Sequence, residues 1–289
     1  MVRQLVRPAA VAGTWYPGQR GTLAREVDRY LDEAADPPGG EILAVIAPHA
    51  GLMYSGPVAA YAYRALRGRS FDVAVLVGPS HYVGFDGVAL VDRGAFETPL
   101  GLVAVDEALA AALMAASDLV HVRPDAHARE HSLEMQLPFL ERVQPGTPIV
   151  PAVMGYQTRQ TVRGFAEALA SSLADRRALL VASTDLSHYL DAALAKRHDG
   201  RVAALIDAFD PDGLLAEFER YPEHERGRLV ACGGGPAISV MLAARALGAT
   251  GARVLRYANS GDVSGDYGAV VGYLAAAVGR FGAPASPLT

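Results

Sequence analysis

The sequence predicts an α/β fold, a mostly parallel or mixed central sheet sandwiched by helices, in one domain over residues 1–289. Three observations carry this expectation. Short apolar runs rich in Val, Ile and Leu recur without alternating polar positions, as strands covered on both faces do. Segments with helical spacing lie between those runs, which gives the strand–helix alternation of a helix–sheet–helix layering. No repeat, low-complexity tract or linker divides the chain.

Taken in order, the first helix is expected behind Thr22 as its cap, with Leu23, Val27, Tyr30 and Leu31 on one face. "ILAVIA" (42–47) is the first strand, followed by a helix at 56–66 and a second strand, "DVAVLVG" (72–78). "GVALVDRGAFETPLGLVAV" (87–105) reads strand, turn, strand, turn, strand, which predicts an antiparallel excursion from the sheet. A helix capped by Asp106 covers 106–116 and another covers 131–142. Then come "TPIVPAVM" (147–154), a helix at 161–174, "ALLVAST" (178–184), and helices at 192–208 and 236–247. The strands "ARVLRYA" (252–258) and "YGAVVGYL" (267–274) close the domain, and the tail "GAPASPLT" is expected to be loose.

Composition removes several function classes. The chain has 289 residues, is 51% hydrophobic, and carries a net charge of −5 without blocks of like charge, so no footprint for nucleic acid is present. No apolar run approaches the ~18–20 residues that span a bilayer, so no membrane role is expected. The opening "MVRQLVRPAAVAGTWYPG" does not read as a signal peptide. One cysteine, Cys232, excludes an internal disulfide framework and fits a reducing cytoplasm, the expected location. Dinucleotide, P-loop, nucleophile-elbow and Cys-x-x-Cys motifs are absent.

The polar residues are informative by position. The first strand runs into His49, the second into His81, and "ALLVAST" into Asp185 and His188. Three buried strands thus deliver imidazoles at their carboxyl ends, the edge at which open α/β sheets bind ligands, and the three are expected to cluster. Cys232 precedes a glycine-rich entry to a helix. It is either a small buried hydrophobe or a thiol drawn toward thiolate by the helix N-terminus. In "REHSLEMQLPFLE" the spacing places His131 and Glu134 on one helical face, without the second histidine of a zinc-protease motif. His121, His127, His198 and His224 receive no role.

"VRPAAVAGTWYPG", "APHAGLMYSGPVAAYAY", "VGPSH", "EHSLEMQLPFL", "STDLSHY", "CGGGPAI" and "SGDVSGDYGAVVGY" occur in this order over nearly the whole chain. Together they resemble the Memo family, whose bacterial and archaeal members accompany an AMMECR-type and a radical-SAM-type protein. The resemblance implies a fold similar to class III extradiol dioxygenases, which open catechol-type rings with non-haem iron. It implies one transition-metal ion, iron or copper foremost and zinc as a further candidate, held by His49, His81 and Cys232. Asp185 and His188 would lie beside the ion, with His188 as acid–base group oriented or charge-balanced by Asp185. His131 would lie on the substrate side; Trp15, Tyr16 and Tyr54 are either ordinary core packing or an aromatic rim to that side, with Tyr54 and Trp15 as substrate contacts. The glycines after Cys232 depart from relatives, which more often carry a larger polar residue there.

Extradiol enzymes hold iron with two histidines and a carboxylate. A thiolate in the third position favours copper(I), zinc or thiolate-bound iron, so the expected function is a metal-dependent oxidoreductase on an unknown substrate. The alternatives are a non-catalytic protein binding a peptide, metal or partner, and a ring-cleaving dioxygenase. Expected partners are a small molecule or peptide and, through the resemblance, the AMMECR-type and radical-SAM proteins.

Overall fold

The computed structural model describes residues 5–37 and 39–281; the tail expected to be loose, 282–289, lies outside them. The strands are β1 (Val6–Arg7), β2 (Glu41–Ala47), β3 (Val73–Pro79), β4 (Val88–Leu90), β5 (Ala95–Thr98), β6 (Gly101–Ala104), β7 (Val120–Val122), β8 (Ile149–Met154), β9 (Ala178–Ser183), β10 (His188–Leu190), β11 (Gly251–Asn259) and β12 (Val270–Arg280). The helices are α1 (Arg20–Glu33), α2 (Leu52–Arg64), α3 (Glu107–Ala116), α4 (Pro124–His127), α5 (Leu137–Val143), α6 (Arg159–Leu173), α7 (Ala192–Asp207), α8 (Pro211–Glu219), α9 (Glu223–Leu229), α10 (Gly234–Ala246) and α11 (Gly261–Ser264).

The large sheet has the order β10-β12-β2-β9-β3-β8-β4-β7, with β11 on the remaining side of β12. Its centre, β2-β9-β3-β8, is parallel, and antiparallel pairing appears where β12 meets β2 and β4 meets β8. This is the expected mixed sheet between helices. Alternate residues of each central strand enter two separate cores. Ala44, Ile46, Val75 and Val77 pack toward α6, α8 and α10, while Val45, Ala47, Ala74 and Leu76 pack toward α1, α2 and α5. Burial on both faces is why these strands read as continuous apolar runs.

The excursion at 87–105 is real but divided. β4 stays in the large sheet, whereas β5 and β6 form an antiparallel hairpin that joins β1 in a separate three-stranded sheet. Asp106 caps α3 as expected, accepting from the Leu109 amide. Thr22 is not a cap: α1 begins at Arg20, with Gln19 at the cap position. The helix expected at 131–142 shortens to α5, preceded by a single 3₁₀ turn at Glu134–Gln136. Helices α8 and α9 fill the stretch between 208 and 236, where no helix was expected. α9 has no buried residue, so it carries no apolar period to read. Among the described residues no single helix is long and apolar enough to cross a membrane.

Candidate metal centre

The parallel strands end at one edge, and their successors meet there. His49 follows β2 and His81 follows β3, with ring centroids 5.2 Å apart. His131 arrives on the loop after α4 and stacks on His81 at 4.4 Å. Cys232, between α9 and α10, brings Sγ to 3.3 Å from Nε2 of His49. Two glycines make these approaches possible. A Cβ on Gly78 would stand 2.8 Å from the Leu133 and Ser132 side chains, and one on Gly233 would stand 2.4 Å from the Ser183 carbonyl. His49, His81 and His131 offer ring nitrogens within 4.8 Å of one another, so the cluster can hold a metal ion.

Hydrogen bonds fix which nitrogen each ring presents. The Ser183 hydroxyl donates to the Ser132 carbonyl (2.7 Å) and accepts from the Gln136 amide (2.8 Å). Its remaining lone pair therefore accepts from Nδ1–H of His49, 2.9 Å away, and the ring so oriented turns Nε2 toward Sγ of Cys232. His81 is held by Glu130, whose carboxylate accepts from its Nδ1–H (2.8 Å) and its backbone amide (2.6 Å). The same carboxylate caps the His131 and Ser132 amides at 3.0 and 2.9 Å. A carboxylate behind a histidine is the usual orienting partner of a metal ligand.

The charges are mutually adjusted. Burial opposes the His81 imidazolium, but its hydrogen bond to Cys232 and then its pairing with Glu130 outweigh that and push its pKa up to about 10. Burial opposes the Cys232 thiolate too, yet the charges and hydrogen bonds of His49 and His81 bring it down to about 6. Glu130 is held below the ordinary carboxylate range: burial works against its charge, and the bond and charge of His81 prevail. His131 is depressed by burial and then by the neighbouring His49 and His81, so it stays neutral with a lone pair to offer. At neutral pH the metal-free pocket is a thiolate–imidazolium pair with neutral His131 beside it.

The N-terminal segment closes one side. Glu134 is fully buried and accepts from the amides of Ala10 (2.8 Å) and Val11 (3.0 Å), the Tyr16 hydroxyl (2.7 Å) and the Arg7 guanidinium. Arg7 also donates to the His127 and Glu130 carbonyls. The strap so anchored carries Trp15, whose ring lies 4.3 Å from that of His131.

His49, His81 and Cys232 thus come together, with His131 and Trp15 against them. Other expectations need correction. Asp185 does not hydrogen-bond to His188. It accepts from the backbone amide of His49 (2.8 Å), and its own amide meets Sγ of Cys232 at 3.3 Å. His188 Nδ1 instead donates to the carbonyls of Leu186 (2.8 Å) and Gly227 (3.1 Å), tying β10 to α9. Tyr54 lies in a different cleft, with Tyr30, Tyr61 and Arg256. His131 and Glu134 do not share a helical face, because the loop and 3₁₀ turn send one to the cluster and the other to the strap. Sequence reasoning missed Glu130, Gln136 and Ser183 as orienting groups. An acid directly before His131 and a serine two residues before Asp185 were the available signals.

The sequence profile of the Memo-like protein family matches residues 7–277. A MEMO1 family protein of Methanothermobacter thermautotrophicus is 37% identical, over 93% of this chain and 99% of that protein. MEMO1 family proteins of Methanopyrus kandleri and Pyrobaculum aerophilum are each 38% identical, over 93% of this chain and 97% of theirs.

Proposed function

Since the chain belongs to the Memo-like protein family, we propose that it binds one transition-metal ion at the His/Cys cluster and acts as an oxidoreductase on a small molecule. The observation that carries this reading is the convergence of His49 Nε2, the His81 ring and Cys232 Sγ, with both Nδ1 protons committed to Ser183 and Glu130. Imidazole and thiolate donors fit copper, iron or zinc and disfavour hard ions such as magnesium. His49, His81 and Cys232 are the ligands in this reading, and His131 is the neutral neighbour that completes or flanks the set. A redox-active ion would supply the electron-transfer chemistry, while the chain orients the ligands and manages protons. His188 is the proton-transfer group: two carbonyls hold its Nδ1–H, which leaves Nε2 as the basic nitrogen.

Two carboxylates border the cluster and both are engaged, Glu130 behind His81 and Asp185 on the His49 amide, which leaves the Cys232 thiol as the third donor in this reading. The donor set therefore favours other redox chemistry over ring cleavage. A second reading, a binding pocket without turnover, draws on Trp15, Tyr82 and Tyr156, which are exposed and within or next to the elements of the site.

The test is elemental analysis of protein purified without added or affinity-matrix metal, followed by metal titration of His49→Ala, His81→Ala, His131→Ala and Cys232→Ser. The expected result is about one equivalent of copper, iron or zinc, lost on either His49 or His81 substitution. Cys232→Ser should weaken copper(I) far more than manganese(II). Unchanged affinity across all four variants would refute the assignment.

A further inference from the structure

Beside the cluster lies a cavity of about 510 Å³, lined by His81, Cys232, Gln157, Phe218 and residues of α9. That volume suits a small organic molecule. Several polar groups in its wall are already spent: Ser80 donates to Val83, and both ends of the Gln157 amide are used by Cys232 and Gly235, while Tyr156, Glu223 and His224 are exposed at its rim. Arg226 is different. Its Nε donates to the Tyr221 carbonyl (3.0 Å), and its guanidinium carbon sits 5.2 Å from the Phe218 ring centre. Its two terminal nitrogens have no hydrogen-bond or ion-pair partner among the described residues. Glu223, on the same helix and at the same cavity, is exposed and not paired with it, and Glu225 is paired with Arg228.

The support under that guanidinium is specific to this chain's glycine-rich turn. A Cβ on Gly234 would stand 2.4 Å from the Phe218 ring, so the missing side chain is what lets Phe218 pack there and carry Arg226. A planar fork with one edge pinned and two donors free is the geometry that takes an oxyanion side-on.

We propose that Arg226 is a specificity-determining residue that binds the carboxylate of a small organic acid, placing the rest of that molecule against Cys232 and His81. The proposal names the substrate class for the site described above and rests on that site being the reactive centre. The guanidinium gives the acid a fixed polar end, and the cavity that Arg226 shares with His81 and Cys232 takes its reacting end.

Cys232 is the only cysteine, so its alkylation reports on this cavity without any metal. Second-order rates with iodoacetate and with neutral iodoacetamide are measured on the metal-free protein, and their ratio cancels the thiol's own reactivity. Parent protein is expected to prefer iodoacetate. Arg226→Gln should lower the iodoacetate/iodoacetamide ratio about five- to tenfold, the loss of one charge-assisted pair. Arg226→Lys should recover part of it, and Arg228→Gln, exposed on the same helix, should leave it unchanged. A ratio that survives Arg226→Gln, or falls equally in Arg228→Gln, overturns the proposal. Metal affinity of Arg226→Gln is measured alongside: it should match the parent, so a failed metal assignment and a failed anion site give different results.

Discussion

Replacing Glu130 with Gln tests how the cluster prepares its ligands. In the native protein Oε1 accepts from His81 Nδ1, the His131 amide and the Ser132 amide, and Oε2 accepts from the His81 amide. A glutamine has one acceptor oxygen, so its NH₂ must face at least one of these donors, leaving a buried N–H unsatisfied at about 1–3 kcal/mol. Loss of an orienting partner costs metal ligands about 10- to 100-fold in affinity. A second effect runs the other way. In the parent, His81 titrates near 10, so below that pH a metal must displace its proton. Cys232, near 6, has already lost its own. Parent affinity should therefore climb about tenfold per pH unit from ~7 to ~9 and level off above ~10. Without the Glu130 charge and hydrogen bond, burial pulls the His81 pKa down, so in Glu130→Gln the slope flattens at the alkaline end while the plateau drops. Competition against a chromophoric chelator with zinc, at several pH values, separates the two effects. The same slope and plateau in both proteins would refute the reasoning.

Cys232 should react with iodoacetamide in the metal-free protein with a pH midpoint near 6, against 9.0 for an ordinary thiol. His49→Ala or His81→Ala should move that midpoint up, and a midpoint above 8 in the parent would show that the pair is not formed. Glu134→Ala leaves the buried Arg7 without its counter-charge and three further donors without an acceptor, so denaturant unfolding should lose about 3–5 kcal/mol. Trp15, the only tryptophan, should shift its emission to longer wavelength in the same variant as the strap loosens, and an unchanged spectrum would contradict the anchoring. His188→Ala frees the Gly227 carbonyl. It should cost about 1–3 kcal/mol, increase proteolysis within α9 and retain the metal, whereas loss of the metal would make His188 a ligand.

The central strands and the arrival of His49 and His81 at their ends were legible because burial on both faces and a fixed sheet direction leave few alternatives. The glycine-rich turn alone left Cys232 open between a buried hydrophobe and a reactive thiol, and only the family resemblance pointed it to the cluster. What the sequence did not disclose depends on side-chain direction. Asp185 and His188 are three residues apart, but the carboxylate takes a backbone amide and the imidazole takes two carbonyls, so they interact through charge and not through a hydrogen bond. His131 and Glu134 diverge because Pro138 falls at the first turn of α5, so the helix begins after them. The orienting roles of Ser183 and Glu130 needed contacts 134 and 49 residues away, which no local pattern encodes.

The sheet order also determines when the centre can exist. His49 and His81 follow strands β2 and β3, which are not neighbours: β9 lies between them and pairs with both. Until residues 178–183 have been synthesised and inserted, the strand that pairs with both β2 and β3 and fixes the spacing of those two histidines in the sheet is missing. The thiol follows about fifty residues later, some 2–10 s at ordinary rates of synthesis. The complete donor set of His49, His81, His131 and Cys232 therefore appears only late in the synthesis of the polypeptide. On the proposed reading, the donor set that would select an ion is therefore a property of the nearly finished chain.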